Sequence, residues 1–245
     1  MRDKDDVRVY WRFSEFCYFC TFNLYGDLEK VVILGARIDG HAKVVLEILE
    51  AEGKFTVVGF VDDNLFGKEK SIRDIHVLGT TSDLPALKEK YGLTGAIVAI
   101  GNNKQRRMLG DKILDAGMRL INAIHPSVHL DSDVIIGVGN CFCQGVIIVT
   151  GTRIGNCVNV HTGTTIDHDN IIEDGANLGP GVHTSGRVKI CRDAFLGAGT
   201  LVIPDCCVGE GAITGAGTVV IHPIASYTKV VGVPARVIEN LNETK

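Results

Sequence analysis

From Ile124 to Val220 large apolar residues return every six positions without an insertion. Seventeen positions fall on this step; fifteen are large and apolar, and Thr184 and Thr214 are the two exceptions. Four residues after each, a small or β-branched residue follows in nearly every case, among them Val146, Thr152, Ala176, Ala194, Thr200 and Ala212. Gly directly follows the large residue at Ile136, Ile154, Leu178, Leu196, Val208 and Thr214. A period of six is neither the 3.6 of a helix nor the 2 of a lone strand. It fits a short strand and a turn, repeated, with the large residue pointing inward and the small one filling the corner. Three such sides close one triangular coil. The register therefore predicts about five and a half coils stacked at roughly 4.8 Å, a prism on the order of 25 Å long. This is a parallel β-helix, a solenoid in which each coil touches only its neighbours.

A chain of 245 residues suits one or two domains, and its 45% hydrophobic content is ample for a core. The net charge of −4 offers no basic field and argues against a nucleic-acid partner. Several of the eight cysteines fall inside the repeat, where they read as small packing residues. No secretory signal precedes them, so a reducing cytoplasm is expected. Cys17-x-x-Cys20 lacks the second pair and the βαβ context of a metal or redox motif. No apolar run reaches the length of a membrane span. The first thirty residues carry eight of the fifteen aromatics, from Tyr10 to Tyr25. They read as an interfacial membrane segment, as a segment packed on the body or on a partner chain, or as an upstream extension. Membrane association is expected only through them.

Before the solenoid the period changes. Val31 to Leu34 reads as a buried strand, followed by the turn Gly35 to His41 and a helix over Ala42 to Glu52 with Val44, Val45, Ile48 and Leu49 on one face. A second strand, Phe55 to Val61, ends in Asp62-Asp63. A helix over Ser82 to Tyr91, capped by Thr81 or Ser82, precedes a third strand, Gly95 to Ile100, that ends at Gly101. A helix over Lys104 to Ala116 and a short strand, Arg119 to Ala123, lead into the repeat. Alternating strands and helices predict a parallel sheet with ligands at the carboxyl ends of its strands, where all three polar turns lie. The first turn is not G-x-G-x-x-G and is a weak dinucleotide fingerprint. Asp62-Asp63 reads either as an acceptor for a ribose hydroxyl or as a solvated turn. The chain thus divides into an aromatic extension (1–29), a small Rossmann-like α/β domain (30–123), the β-helix (124–223) and a C-terminal cap or tail (224–245).

Four stretches carry a family resemblance: GARIDGHAKVV, VGFVDDN, AIGNNKQRR with the later IHPSV, and the repeat ending in VVGVPARVI. Together, over Lys30 to Ile238, they resemble the bacterial sugar acetyltransferases that include sialic acid O-acetyltransferases and UDP-4-amino-sugar N-acetyltransferases. The resemblance implies that the β-helix is left-handed, that acetyl-CoA is the acyl donor without a metal, and that donor binding occurs between the prisms of a homotrimer. It implies that the α/β domain holds a nucleotide-activated sugar through Asp39, Gly40 and His41 of the first turn, Asp62, Asp63 and Gly101. The first turn is two residues longer than the family's usual G-A-S-G-H-G-K.

The family's catalytic base lies in a V-x-H-[DE] stretch, here Ile166-Asp167-His168-Asp169. His168 follows an inward Ile by two and is expected to project from the prism. A neutral imidazole near pH 7 takes a proton from an attacking amine or hydroxyl, and Asp169 would hold the ring and raise its basicity. Gly186, one coil along, matches the family's backbone donor to the developing oxyanion. Asn177, Gly186, Ala198 and Ala216 are the expected acetyl-CoA contacts. His161, His168 and His183 are weighed as a zinc site across a trimer interface, as in the carbonic anhydrases of this fold, but their spacing is not the expected one. The expected activity is N-acetylation of a nucleotide-linked 4-amino-4,6-dideoxy sugar for bacterial glycan synthesis. The rivals are O-acetylation of a sialic acid or other sugar, and a non-catalytic β-helix scaffold, which would need neither the His168-Asp169 pair nor the Gly35–His41 turn.

Overall fold

The computed structural model describes residues 28–37, 40–68 and 71–241. The aromatic segment, Cys17, Cys20 and Asp39 lie outside these residues. β1 (Glu29–Leu34) is fully buried over Val31 to Leu34, as a strand covered on both faces must be. α1 (Ala42–Glu52) buries Val45, Leu46, Ile48 and Leu49 and stops at Gly53 in the left-handed conformation. β2 (Phe55–Val61), β3 (Ser71–Ile72), β4 (Ile75–Gly79), α2 (Leu84–Tyr91), β5 (Gly95–Val98), α3 (Asn103–Asp115) and β6 (Arg119–Leu120) follow. The sheet order is β3-β4-β2-β1-β5-β6, parallel except for the β3–β4 pair.

Three local expectations change. The β3–β4 hairpin was not foreseen. Its turn is Arg73-Asp74, with φ of 49° and 63°, and lacks the Asn-Gly or Asp-Gly signal of such turns. The helix expected from Ser82 begins as a 3-10 turn, Thr81–Asp83, and the cap is Thr80, whose N–H and hydroxyl both donate to Asp83 Oδ2 at 2.8 and 2.7 Å. The strand expected over Arg119 to Ala123 divides: Arg119–Leu120 completes the α/β sheet, while Ala123–Ile124 pairs with Cys141–Phe142 in the solenoid.

All seventeen positions of the six-residue register are the second residue of a two-residue strand, from Ala123–Ile124 to Val219–Val220. The strands stack in parallel eighteen residues apart, as in Asn159–Val160 on Asn177–Leu178, and build the three faces of a left-handed β-helix. We call the face begun by Ala123–Ile124 the first, that begun by His129–Leu130 the second and that begun by Ile135–Ile136 the third. The inward residues and the small corner residues form one continuous core. The first face continues past the prism through Thr228–Val231, on which Arg236–Asn240 lies antiparallel.

At the edges, the third residue after each inward position from Ile136 to Thr214 has φ between 53° and 73°. Only Gly adopts this conformation freely, which accounts for Gly139, Gly145, Gly151 and their successors. The edge between the first and second faces has Gly at all five such positions. The edge between the second and third faces instead carries Asp169, Arg187 and Asp205 on consecutive coils.

The α/β domain docks on the first face and on the edge between the third and first. Ala123, Cys141 and Cys143 share a core with α1. Arg106 of α3 is completely buried and donates to the carbonyls of Cys157 (2.8 Å), Gly175 (2.8 Å), Ala176 (3.4 Å) and Ile100 (3.1 Å). Arg107 Nε binds Asp193 Oδ1 at 2.8 Å, and Asn103 Nδ2 donates to the Asp193 carbonyl at 2.9 Å. Among the described residues no helix is long and apolar enough to cross a membrane.

Candidate active site

His168 stands on the edge between the second and third faces. Inward Ile166 fixes the preceding strand, and the turn is held by its own side chains. Asp167 Oδ1 accepts the His168 N–H at 2.7 Å. Fully buried Asn170 donates through Nδ2 to the carbonyls of Asp167 (2.7 Å), His168 (3.2 Å) and Ser185 (2.9 Å), tying the turn to the coil above. Asn170 escaped the sequence reading because it stands where other coils carry a small corner residue. His168 Nδ1 lies 2.8 Å from Asp169 Oδ2. A carboxylate at Nδ1 fixes the neutral tautomer with its proton there and leaves the Nε2 lone pair open.

The ring lies over Gly186. A Cβ on Gly186 would stand 2.3 Å from His168 Nε2 and 2.4 Å from Cε1, so only glycine leaves the ring its place. Gly186 itself is buried, and its N–H has no acceptor among the described residues. A proton acceptor and an unused N–H donor thus meet at one point of the surface. The Asp169 side chain is accommodated in the same way over Gly151, where a Cβ would stand 2.4 Å from Oδ1.

The other expected contacts fall elsewhere in the same chain. Ala198 and Ala216 are exposed on the all-glycine edge between the first and second faces, one coil apart, joined by the Gly217 N–H to the Ala198 carbonyl at 2.8 Å. Asn177 is buried on the first face between Asn159 and Phe195, with Oδ1 lacking a partner among the described residues. Gly101 is exposed after β5, beside Asn102, whose side chain accepts the Gln105 N–H at 2.9 Å to cap α3. The Asp62 and Asp63 carboxylates are engaged within the chain. Asp62 accepts the N–H groups of Ala36, Asn64 and Leu65, and so fastens the first turn to the second. Asp63 accepts from the N–H and hydroxyl of Thr81 at 2.6 and 3.0 Å.

Gly40 donates its N–H to the Arg37 carbonyl at 3.0 Å. The His41 imidazole lies against His161, ring centroids 5.1 Å apart, and its Nε2 is buried without a partner among the described residues. Burial, then the charges of His161 and Arg106, lower the His41 pKa to about 3, so this ring stays neutral. His161, His168 and His183 stand apart: the first against His41, the second on its edge, the third on the second face with Nδ1 2.7 Å from Thr165 Oγ1. Among the described residues no group of three side chains converges as a metal would need.

One chain therefore presents the His168–Asp169–Gly186 group on one edge, Ala198 and Ala216 on a second, and the α/β domain along the third. The residues on the first two edges are named in the sequence analysis and the clamp of the third is not, although Arg106 lies within the AIGNNKQRR stretch. Nothing in sequence distinguishes a buried arginine of this kind from a solvated one.

Known proteins match this arrangement. Residues 30–113 match the PglD N-terminal domain family. GDP-perosamine N-acetyltransferase of Escherichia coli O157:H7 is 32% identical over 200 residues, covering 80% of this chain and 84% of that protein. The crystal structure of PerB from Caulobacter crescentus, in complex with CoA and GDP-perosamine, superposes with a TM-score of 0.81 at 38% identity, covering 87% of this chain and 99% of PerB. The acetyltransferase domain of PglB from Neisseria gonorrhoeae, in complex with acetyl coenzyme A, gives 0.79 at 30% identity, covering 86% of this chain and all of that one. At this identity and over this share of both chains, this chain belongs to the bacterial hexapeptide-repeat sugar acetyltransferases, acetyl-CoA-dependent enzymes.

Proposed function

We propose that this enzyme acetylates the amino group of a nucleotide-linked 4-amino sugar, with a GDP-sugar of the perosamine type as the first candidate acceptor and His168 as the general base. The carrying observation is the meeting of His168 Nε2 with the unused Gly186 N–H, Asp169 holding the far side of the ring. The amine attacks the thioester carbonyl carbon. The carbonyl oxygen gains negative charge and accepts from the Gly186 N–H. His168 Nε2 takes the proton that the nitrogen sheds, and the Asp169 carboxylate stabilises the resulting imidazolium. Loss of the coenzyme A thiolate leaves the amide, and the proton passes from His168 to that sulfur. No protein nucleophile is needed.

The chain works as a homotrimer. The edge with His168 and Gly186 faces the edge with Ala198 and Ala216 of the next prism, and the pantetheine arm runs between them. This reading is supported by their separation on different edges of one chain, and by exposed Ile147 and Leu201 on the second face and Ile135 and Ile171 on the third. We place the reaction in the cytoplasm, where free thiols such as Cys191 and Cys207 stay reduced. The test is acetyl transfer from acetyl-CoA to GDP-perosamine, followed by amide formation, in wild type and His168→Ala. Removing a general base should lower the rate about 10²–10⁴-fold. A variant within threefold of wild type would overturn the assignment.

A further inference from the structure

The edge that carries His168 also carries three consecutive non-glycine residues in the left-handed conformation: Asp169 (φ 58°), Arg187 (φ 58°) and Asp205 (φ 62°). They lie one above another on successive coils, roughly 4.8 Å apart. Asp reaches this conformation readily, whereas Arg gains nothing there over Gly or Asn. A backbone position held against preference points to a role for its side chain. The side chain in question binds Asp205 in a two-point grip, Nε to Oδ1 at 2.6 Å and Nη2 to Oδ2 at 2.9 Å. The Arg187 N–H meanwhile donates to the His168 carbonyl at 2.9 Å, and Arg187 directly follows Gly186. A permanent cation thus sits one coil from the carboxylate that orients the base.

We propose that Arg187 and Asp205 form a guard for the His168–Asp169 pair: Asp205 holds the Arg187 guanidinium, which would otherwise take Asp169 away from His168 Nδ1. The proposal rests on the reading of His168 as the base. Arg187 and Asp205 are positioning residues and do not touch the reacting atoms. The charged groups around His168 are few and leave Asp169 as the exposed competitor. Asp167 accepts the His168 N–H. Two coils before, Asp131 and Asp133 are occupied by the Thr150 N–H, the His129 ring, the Thr150 hydroxyl and the Gly151 N–H. Above are Arg187 and Asp205. Arg187 is kept charged first by its hydrogen bond to Asp205, and Asp169 adds to the same attraction. The Asp205 carboxyl is correspondingly held below its ordinary range, first by the Arg187 bond and more weakly by His168.

The experiment is the pH profile of kcat/KM for wild type, His168→Ala, Asp205→Asn and the Arg187→Asn/Asp205→Asn double variant. It is paired with an NMR titration of the His168 ring in the variants that retain His168. Asn suits both left-handed positions. With Asp205 neutral, Arg187 turns to Asp169 and His168 loses its anion while gaining a cation nearby. The His168 pKa and the acid limb then fall by about 1 pH unit, as a charge at this range demands, and the plateau rate drops. Removing the freed cation in the double variant should return both toward wild type. A merely structural ion pair would lower thermal stability in both variants and move neither limb nor ring titration. An unshifted Asp205→Asn profile, or a shift that the double variant keeps, overturns the guard. His168→Ala activity within threefold of wild type overturns the base reading instead, so the two failures are told apart. The ring titration reads the same shift should a variant lose activity.

Discussion

At the scale of single residues, the site is an arrangement of space as much as of functional groups. His168 supplies the lone pair and Asp169 sets which nitrogen carries it, but Gly186 supplies the room in which the ring stands. The glycine is not required by its backbone, since its φ is outside the left-handed range and an alanine would adopt it. The methyl group alone is excluded, by the ring 2.3 Å from where it would be. Gly186→Ala therefore isolates the position of the imidazole from the stability of the coil. The ring should be displaced by an ångström or more, and kcat/KM should fall on the order of 10²-fold. The melting temperature should stay within about 2 °C, because the atoms nearest the added methyl are those of the partly exposed His168 ring and not of the core. Kinetics and a thermal melt on the same preparation check both halves. A variant with unchanged kcat/KM would mean that the ring does not work from the place it occupies.

At the scale of elements, legibility follows the strength of the repeating constraint. Every coil buries a large residue at one fixed step, so the inward positions from Ile124 to Val220 are readable from sequence without error. The same periodicity fixes His168 and Gly186 one coil apart. It also carries a signal left unread, the left-handed residue three places after each inward one, where Asp169, Arg187 and Asp205 replace Gly. The α/β domain is less constrained. Its strands and helices are visible as apolar runs, but the β3–β4 hairpin turns on Arg73-Asp74, a pair without turn signature. The docking of α3 is less visible still, because its one fully buried polar anchor is an arginine meeting carbonyls 51 to 70 residues away. Among the described residues the Cys157 and Gly175 carbonyls accept no backbone N–H, while the Ala176 carbonyl is shared with the Asn159 N–H at 3.0 Å. Arg106→Ala would strand them in a buried junction and leave a void. We expect a loss of roughly 3 kcal/mol in urea unfolding. Unfolding that remains unchanged would assign the docking to the apolar contacts of α1 and to the Arg107 and Asn103 contacts with Asp193. Burial brings the Arg106 pKa down to about 10, which still leaves the guanidinium charged near neutral pH.

At the scale of the whole molecule, the geometry of a triangular prism decides how the site is assembled. A single chain has three edges and uses each differently: one is occupied by its own α/β domain, one carries His168 and Gly186, the proposed base and oxyanion donor, and one is lined by glycine with Ala198 and Ala216 exposed on it. Two edges of one prism diverge, and a thin flexible acyl donor cannot lie on both. The proposed cyclic trimer would bring the His168 edge of each chain against the Ala198 and Ala216 edge of the next, in head-to-tail contacts that close after three copies. This arrangement predicts complementation between two variants that are each inactive. His168→Ala keeps the wall and loses the base. Ala198→Trp keeps the base and fills the wall with an indole at an exposed corner. Co-expressed with different tags and purified through both, every mixed trimer contains one interface that joins an intact base edge to an intact wall, whichever chain is in the majority. Mixed trimers should therefore regain about one third of wild-type activity, while either variant alone stays near background. A site contained within one chain yields no such recovery, since every chain in the mixture carries a defect. Sedimentation of the same preparation checks that the recovered activity travels with a particle three chains in mass.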